Sequence, residues 1–349
     1  MTADSDLENA TILITGGTGS FGNAFVNQVI RSKIGQIRIF SRDELKQEQM
    51  RNNYSDPRLR FYIGDVRDRA SLDCAMGGVD YVFHAAALKQ VPSCEFFPIQ
   101  AVQTNINGSI NVIESSITHR VKNAVFLSTD KAVLPVNAMG MTKALMEKIT
   151  VAAARASVNS DTILSSVRYG NVMYSRGSVI PLFIEQIRSG KPLTLTVPEM
   201  TRFLLPLPHA IDLVFFAFKH SNKGDLFVRK APACTMLVLA QALLELFGSN
   251  VPLHMIGMRH GEKIYETLAT REELAKSEDM GEYYRIPLDG RDLNYGMYFT
   301  EGYSAKVSLS DYHSNNAERL DLQQVKELLL TLPQVRDELV AAGCALKIL

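Results

Sequence analysis

Residues 12–22 read ILITGGTGSFG, a short β-branched apolar run followed by Gly16, Gly19 and Gly22 at three-residue spacing, and then by the helical pattern AFVNQVI over 24–30. A glycine-rich turn between a parallel strand and a helix lets backbone N–H groups, and the positive end of the helix dipole, approach a pyrophosphate. Glycine spacing alone occurs in many turns. Its place between a strand and a helix makes it a dinucleotide-binding signature.

Outward from this turn, apolar strand-like runs at 37–40, 59–63, 81–83, 123–127 and 162–167 alternate with helical stretches. That alternation predicts an α/β fold, a Rossmann-like doubly wound parallel sheet, with a smaller C-terminal substrate-binding domain. Ligands of such sheets lie outside the carboxyl ends of the strands, so the loops at 16–22, 41–43, 64–66, 84–89, 128–131 and 168–172 are expected to meet at one edge. The alternation weakens past Tyr169. The dinucleotide-binding domain is therefore expected over 8–170, with the sheet rejoined by about 202–232, and the substrate domain and C-terminal extension over 171–201 and 233–349.

Composition bounds the partners. The 349 residues are 46% hydrophobic, and Lys+Arg and Asp+Glu each total 37, so charge gives no reason to expect nucleic acid or an anionic membrane surface. No apolar run approaches a membrane span, and MTADSDLENA is too polar for a secretory signal, which gives a cytoplasmic location as the expectation. Cys74, Cys94, Cys234 and Cys344 form no CxxC pair, so they are read as reduced, mostly buried thiols with no metal site.

The loop after the second strand bears on cofactor choice. Where a carboxylate often holds the ribose 2′-OH, this chain has Ser41 and Arg42, a hydroxyl and a guanidinium that suit a 2′-phosphate. NADP is expected over NAD, although Asp43, one residue on, keeps NAD open. Ala85 and Ala86 permit close packing against a cofactor, and Lys89 follows them.

Residues 126–143, FLSTDKAVLPVNAMGMTK, resemble the active-site segment of the extended short-chain dehydrogenase/reductases, with Met139 where those enzymes carry a Tyr and Lys143 four residues on. A thioether has no proton to exchange, so Met139 cannot be the base. FSRDELKQEQM (40–50), YIGDVRD (62–68), HAAALKQVPSCE (84–95), STDKA (128–132), RYGNVMYSRGSVIP (168–181), MTRFL (200–204) and RHGEKIYETL (259–268) together resemble the UDP-N-acetylglucosamine 4,6-dehydratases of bacterial surface polysaccharide synthesis. Met at 139 resembles the branch that inverts C5 and serves capsule and O-antigen synthesis.

The resemblance implies Asp130 as acid at the sugar O6 and Lys131 as base at C5, with Lys143 on the nicotinamide ribose; since Met139 cannot take the O4 proton, Lys131 or a water held by Thr129 and Lys143 is expected to take it. It implies a cofactor site that also takes in Thr18, Ser20, Phe21, Asp65, Val66, Tyr169 and Asn171. A UDP-sugar is expected against Lys89, Asn171, Arg176, Ser178, Arg202, Arg259 and Glu262, in a homo-oligomer, by resemblance a hexamer. Two other readings stay open: a UDP-sugar 4-epimerase on the same fold, and an inactive NADP-binding regulatory protein. The Asp130–Lys131 pair argues against both.

Overall fold

The computed structural model describes residues 7–289 and 310–344. The chain divides into two compact units, the first comprising Met1–Tyr169, Leu207–Lys230 and Ala269–Asp311, the second Gly170–Pro206, Ala231–Leu268 and Tyr312–Leu349.

The first unit is built on β1 (Thr11–Thr15), β2 (Gln36–Ser41), β3 (Leu59–Ile63), β4 (Tyr81–His84), β5 (Asn123–Leu127) and β6 (Ile163–Arg168), all parallel, in the order β6-β5-β4-β1-β2-β3. Leu226–Arg229 adds in parallel beside β6, Tyr283–Ile286 adds antiparallel to it, and Glu278–Asp279 closes that edge.

Side chains of β1 show why the sheet is covered on both faces. Successive residues of a strand point to opposite faces. Ile12 and Ile14 pack with Phe25, Val26 and Val29 of the helix Ser20–Val29 and with Ile211 and Val214 of Leu207–His220. Leu13 enters the opposite cluster with Leu72, Met76, Val112 and Met146, from the helices Arg69–Met76, Gly108–Thr118 and Ala138–Ala156. A strand buried on both faces reads as a continuous apolar run rather than an alternating one, which is what residues 12–15 show.

The second unit has its own core, formed by Ile180, Phe183 and Ile184, Leu239 and Leu243, Val325 and Leu329, and Val335 and Leu339. These lie on the helices Val179–Arg188, Met236–Leu246, Leu322–Leu330 and Pro333–Ala341. The apolar residues of 237–246 and 325–332 thus serve core packing. Thr201–Phe203 pairs antiparallel with Ala233–Thr235, and Leu193–Leu195 pairs in parallel with Leu253–Met255.

Two boundaries differ from the sequence reading. The chain rejoins the main sheet at Leu226–Arg229, inside the 202–232 stretch expected to return to it, but Thr201–Phe203 pairs with Ala233–Thr235 and lies in the second unit. Ala269–Asp311 belongs with the first unit, since Tyr283–Ile286 satisfies the outer edge of Leu226–Arg229. Of the substrate domain and C-terminal extension expected over 233–349, residues 290–309 and 345–349 lie outside the described residues. All four cysteines are free; Cys94 and Cys234 are buried, but Cys74 is exposed and Cys344 half-buried. Among the described residues no helix is long and apolar enough to cross a membrane, and no cluster of His, Cys, Asp and Glu could hold a metal ion.

Candidate active site

The turn after β1 is glycine by necessity at two positions. Gly16 has φ +66°, and a Cβ there would stand 2.8 Å from Ala86 Cα. At Gly22 a Cβ would meet Gly17 O at 1.9 Å, so this helix packs on its own entry turn. Gly19 is the N-cap of Ser20–Val29, and no side chain caps the helix. Its first N–H groups therefore remain for an anion, which the dipole favours. Phe21 stacks on Tyr169 with ring centroids 5.2 Å apart. These features fit the pyrophosphate of a dinucleotide.

Thr18 and Ser41 bind each other through their hydroxyls at 2.8 Å, tying the β1 turn to the end of β2. Arg42 is exposed and reaches Asp65 Oδ2 at 3.3 Å. Asp43 is the N-cap of the helix Glu44–Tyr54, accepting from Lys46 N at 3.0 Å. Its carboxylate is thus engaged as a helix cap. Asp65 also accepts from Arg67 N, Nε and Nη2 at 3.0, 2.9 and 2.6 Å. Burial raises the Asp65 carboxyl, but the Arg67 hydrogen bonds and the Arg42 and Arg67 charges outweigh it and hold it below its ordinary value. Val66 is buried, and its carbonyl accepts from Asn111 Nδ2 at 2.9 Å.

After β4, Ala85 N donates to Thr15 O at 3.2 Å, which sets Ala86 against Gly16, while Lys89 lies exposed further along the loop. Two residues that sequence reading passed over hold this loop. His84, fully buried, lies 2.7 Å from Thr15 Oγ1 and 3.0 Å from Ser109 Oγ. Burial first, and then the charge of Lys143, push its pKa down to about 3, so it is neutral. Asn105 sits in the π-helical turn Val102–Asn107 and is also fully buried. It accepts from Leu88 N at 2.8 Å and donates to Leu88 O and Thr142 Oγ1, each at 3.0 Å. One amide therefore joins the β4 loop to the helix carrying Met139 and Lys143.

At the end of β5, Thr129 opens a short 3-10 turn, Asp130–Ala132. Asp130 is 1% exposed, and its Oδ1 accepts from the Thr129 hydroxyl at 2.7 Å and from Lys131 Nζ at 3.1 Å. The helix Ala138–Ala156 comes close because Gly140 has no Cβ; one there would stand 2.2 Å from Lys131 O. Asn137 caps this helix through Gly140 N at 2.8 Å. Met139 is 4% exposed, packed with Cys94 and Ala101. Lys143 Nζ donates to Leu127 O at 2.7 Å. Burial pulls the Lys143 pKa down to about 8, with Glu147 acting in the opposite sense. Tyr169, by burial and then by the nearby Asp130 charge, is pushed well above its ordinary value.

The second unit holds the remaining sequence candidates. Asn171 Oδ1 and Ser178 Oγ are buried with no hydrogen-bond partner among the described residues, a costly state unless a ligand or water supplies one. Arg176 is exposed. Arg202 Nη1 donates to Thr201 O at 2.8 Å, and its Nε lies 3.8 Å from Glu266. Arg259 pairs with Glu262 at 3.9 Å.

The fold and the loops at the sheet edge define an extended short-chain dehydrogenase/reductase architecture. The chain belongs to the family described as "Polysaccharide biosynthesis protein", which matches residues 12–288, followed by that family's C-terminal region over 289–336. It is 59% identical to a UDP-glucose 4-epimerase of Rickettsia canadensis and 57% identical to that of Rickettsia akari, each over 94% of this chain and 98% of the relative. The solved structure of Pen from Bacillus thuringiensis is 35% identical and superposes with a TM-score of 0.85 over 93% of this chain and 99% of that one.

Proposed function

We propose that this protein is an NADP-dependent enzyme that oxidises C4 of a UDP-hexose and then removes water across C5 and C6, a 4,6-dehydratase, with UDP-N-acetylglucosamine as substrate and inversion at C5. The observation that carries the dehydration step is the buried Asp130 in contact with Lys131 at the end of β5. An epimerase has no use for such a pair, whereas a dehydratase needs an acid at O6 and a base at C5 within reach of one substrate.

A nicotinamide held at the β1 turn supplies a hydride acceptor for C4, and later the donor for C6. Gly16, Gly19, Thr18, Ser41 and Arg42 would hold it, and the Arg42 fork suits a 2′-phosphate better than Asp43, which is occupied as a helix cap. A ketone at C4 acidifies the C5 proton. In this reading Lys131 takes that proton, Asp130 delivers one to the departing O6, and Lys131 gives a proton back to C5 when C6 receives the hydride. Met139 cannot accept the O4 proton, so a water held by Thr129 and Lys143 takes it, or Lys131 does and passes it to solvent before C5 is deprotonated, while the Lys143 ammonium stabilises the developing alkoxide. The orphaned Asn171 Oδ1 and Ser178 Oγ favour a polar ligand in the second unit, as a UDP-sugar would be.

A second reading has its own support: the relatives at 57–59% identity are named UDP-glucose 4-epimerases, which favours epimerisation at C4 of UDP-glucose. Mass spectrometry decides between the two. The protein is incubated with UDP-N-acetylglucosamine or UDP-glucose and catalytic NADP or NAD, in light and in heavy water. Loss of one water with deuterium at C5 supports dehydration; an unchanged mass with the C4 epimer formed overturns it in favour of the epimerase.

A further inference from the structure

Behind Lys143 lies a buried ionic cluster that the proposed reaction does not use. Glu147 follows Lys143 by four residues on the helix Ala138–Ala156, a spacing that sets two side chains on one face. Both residues are buried. The Glu147 carboxylate is gripped by Arg168 at the end of β6, with Nε to Oε1 at 3.0 Å and Nη2 to Oε2 at 2.6 Å. Arg168 is itself anchored from the other side by Glu273, at 2.9 and 3.1 Å. A buried fork with two carboxylates fixes Glu147 far more firmly than the helix alone would.

We propose that Glu147, held by Arg168 one helical turn from Lys143, is a positioning residue that keeps the Lys143 side chain charged where Leu127 O holds it. This rests on Lys143 serving the C4 oxidation, a step common to the dehydratase and epimerase readings. The other charged or titratable groups on elements packed against this helix do not substitute for Glu147. His84 on β4 is buried and neutral, and Lys131 carries the same sign as Lys143. Asp130 is engaged with Thr129 and Lys131, and Glu95 is engaged at the helix start, accepting from Ala138 N at 2.6 Å. Burial without Glu147 would favour the neutral amine.

The test compares Glu147→Gln with Glu273→Gln. Both loosen Arg168, but only the first removes the carboxylate on Lys143's own face. Two readouts are taken: the pH profile of turnover on the active UDP-hexose, and the titration of the Lys143 ε-carbon by NMR in 13C-lysine-labelled protein, assigned through Lys143→Arg. The titration needs no substrate, so a failure of the functional reading shows as absent turnover with the titration intact. In Glu147→Gln both midpoints are expected to fall by about one pH unit; in Glu273→Gln they stay in place while thermal stability drops. Unmoved midpoints in Glu147→Gln, with stability alone reduced, would overturn the proposal. If Glu147→Gln does not fold, the double variant Glu147→Gln/Arg168→Met removes the buried pair together, and an unmoved midpoint there overturns the proposal equally.

Discussion

Lys131 Nζ lies 3.1 Å from Oδ1 of Asp130, with the lysine side chain 24% exposed and the aspartate 1%. The carboxylate is thus shielded from bulk solvent while its neighbour is partly open to it. At that distance a proton can pass directly between the carboxyl and the amine. The ion pair and the neutral pair, carboxylic acid beside free amine, differ by one proton hop along that contact. The neutral pair is the form a dehydratase would use: an acid for O6 and a base for C5.

From this pairing we predict that Asp130→Asn and Lys131→Met each lower formation of the dehydrated sugar by about 10²–10⁴-fold. C4 oxidation, followed as reduced-cofactor absorbance in a single turnover, should survive Asp130→Asn. Near-normal formation of a C4 epimer by Asp130→Asn would instead show that the pair is structural.

Lys143 gives a stability prediction with a defined sign. Its pKa in the folded chain is about 8, below the ordinary 10.5, because burial disfavours the ammonium. Between those two values the unfolded chain binds more protons than the folded one, so stability rises with pH through that window. Below pH 8 the penalty is present in full. Lys143→Met removes it and also leaves Leu127 O without its donor, so the net gain near neutral pH is about 2 kcal/mol. Urea unfolding at pH 7 and pH 10 should show the variant ahead of wild type at pH 7 and the difference closing at pH 10. A variant less stable at both would contradict the assignment of a strained, buried ammonium.

Legibility in the sequence followed the range of the interactions. The strands 59–63 and 123–127 carry their boundaries in local apolar pattern and turn residues, and the structure places them at the same residues. Gly22 was legible for the same reason, since what forbids a side chain there is the adjoining turn, and Gly16 through its positive φ, although the Ala86 backbone that crowds it comes from 70 residues on. Asn105 left no such signal: a π-helical turn breaks the 3.6-residue period, and its partners Leu88 and Thr142 lie 17 and 37 residues away. Glu147 reads as an ordinary polar helix position until Arg168 arrives 21 residues later and Glu273 a further 105 on. The returning stretch was expected to start at about 202, whereas Thr201–Phe203 lies in the second unit, because three residues of strand pattern do not say which sheet they join.

Met139 occupies a pocket closed by Cys94 and Ala101, with Leu88, Val91 and Ala138 around it. A Tyr there must displace packed side chains, at a cost of about 1–3 kcal/mol. Met139→Tyr is therefore expected to fold less stably and, if the proposed base other than Tyr serves this site, to turn over more slowly or with altered stereochemistry at C5. If the variant oxidised C4 far faster and gave the same product, Met139 would not be an adapted feature of this site. Rapid-quench measurement of the oxidation step, with product stereochemistry by NMR, separates these outcomes.

Arg42 tests the cofactor. Its guanidinium is 56% exposed and contacts Asp65 at 3.3 Å, a loose surface pair contributing little to stability. Arg42→Ala should therefore leave the melting temperature nearly unchanged. If the guanidinium holds a 2′-phosphate, losing its charge-assisted hydrogen bonds costs about 1.5–3 kcal/mol, which is about ten- to more than a hundredfold in Kd for NADP, with the Kd for NAD little altered. Calorimetric titration of wild type and variant with both cofactors measures this. Equal weakening toward NADP and NAD, or none toward either, would mean that Arg42 serves only its pair with Asp65, and NAD would become the expected cofactor.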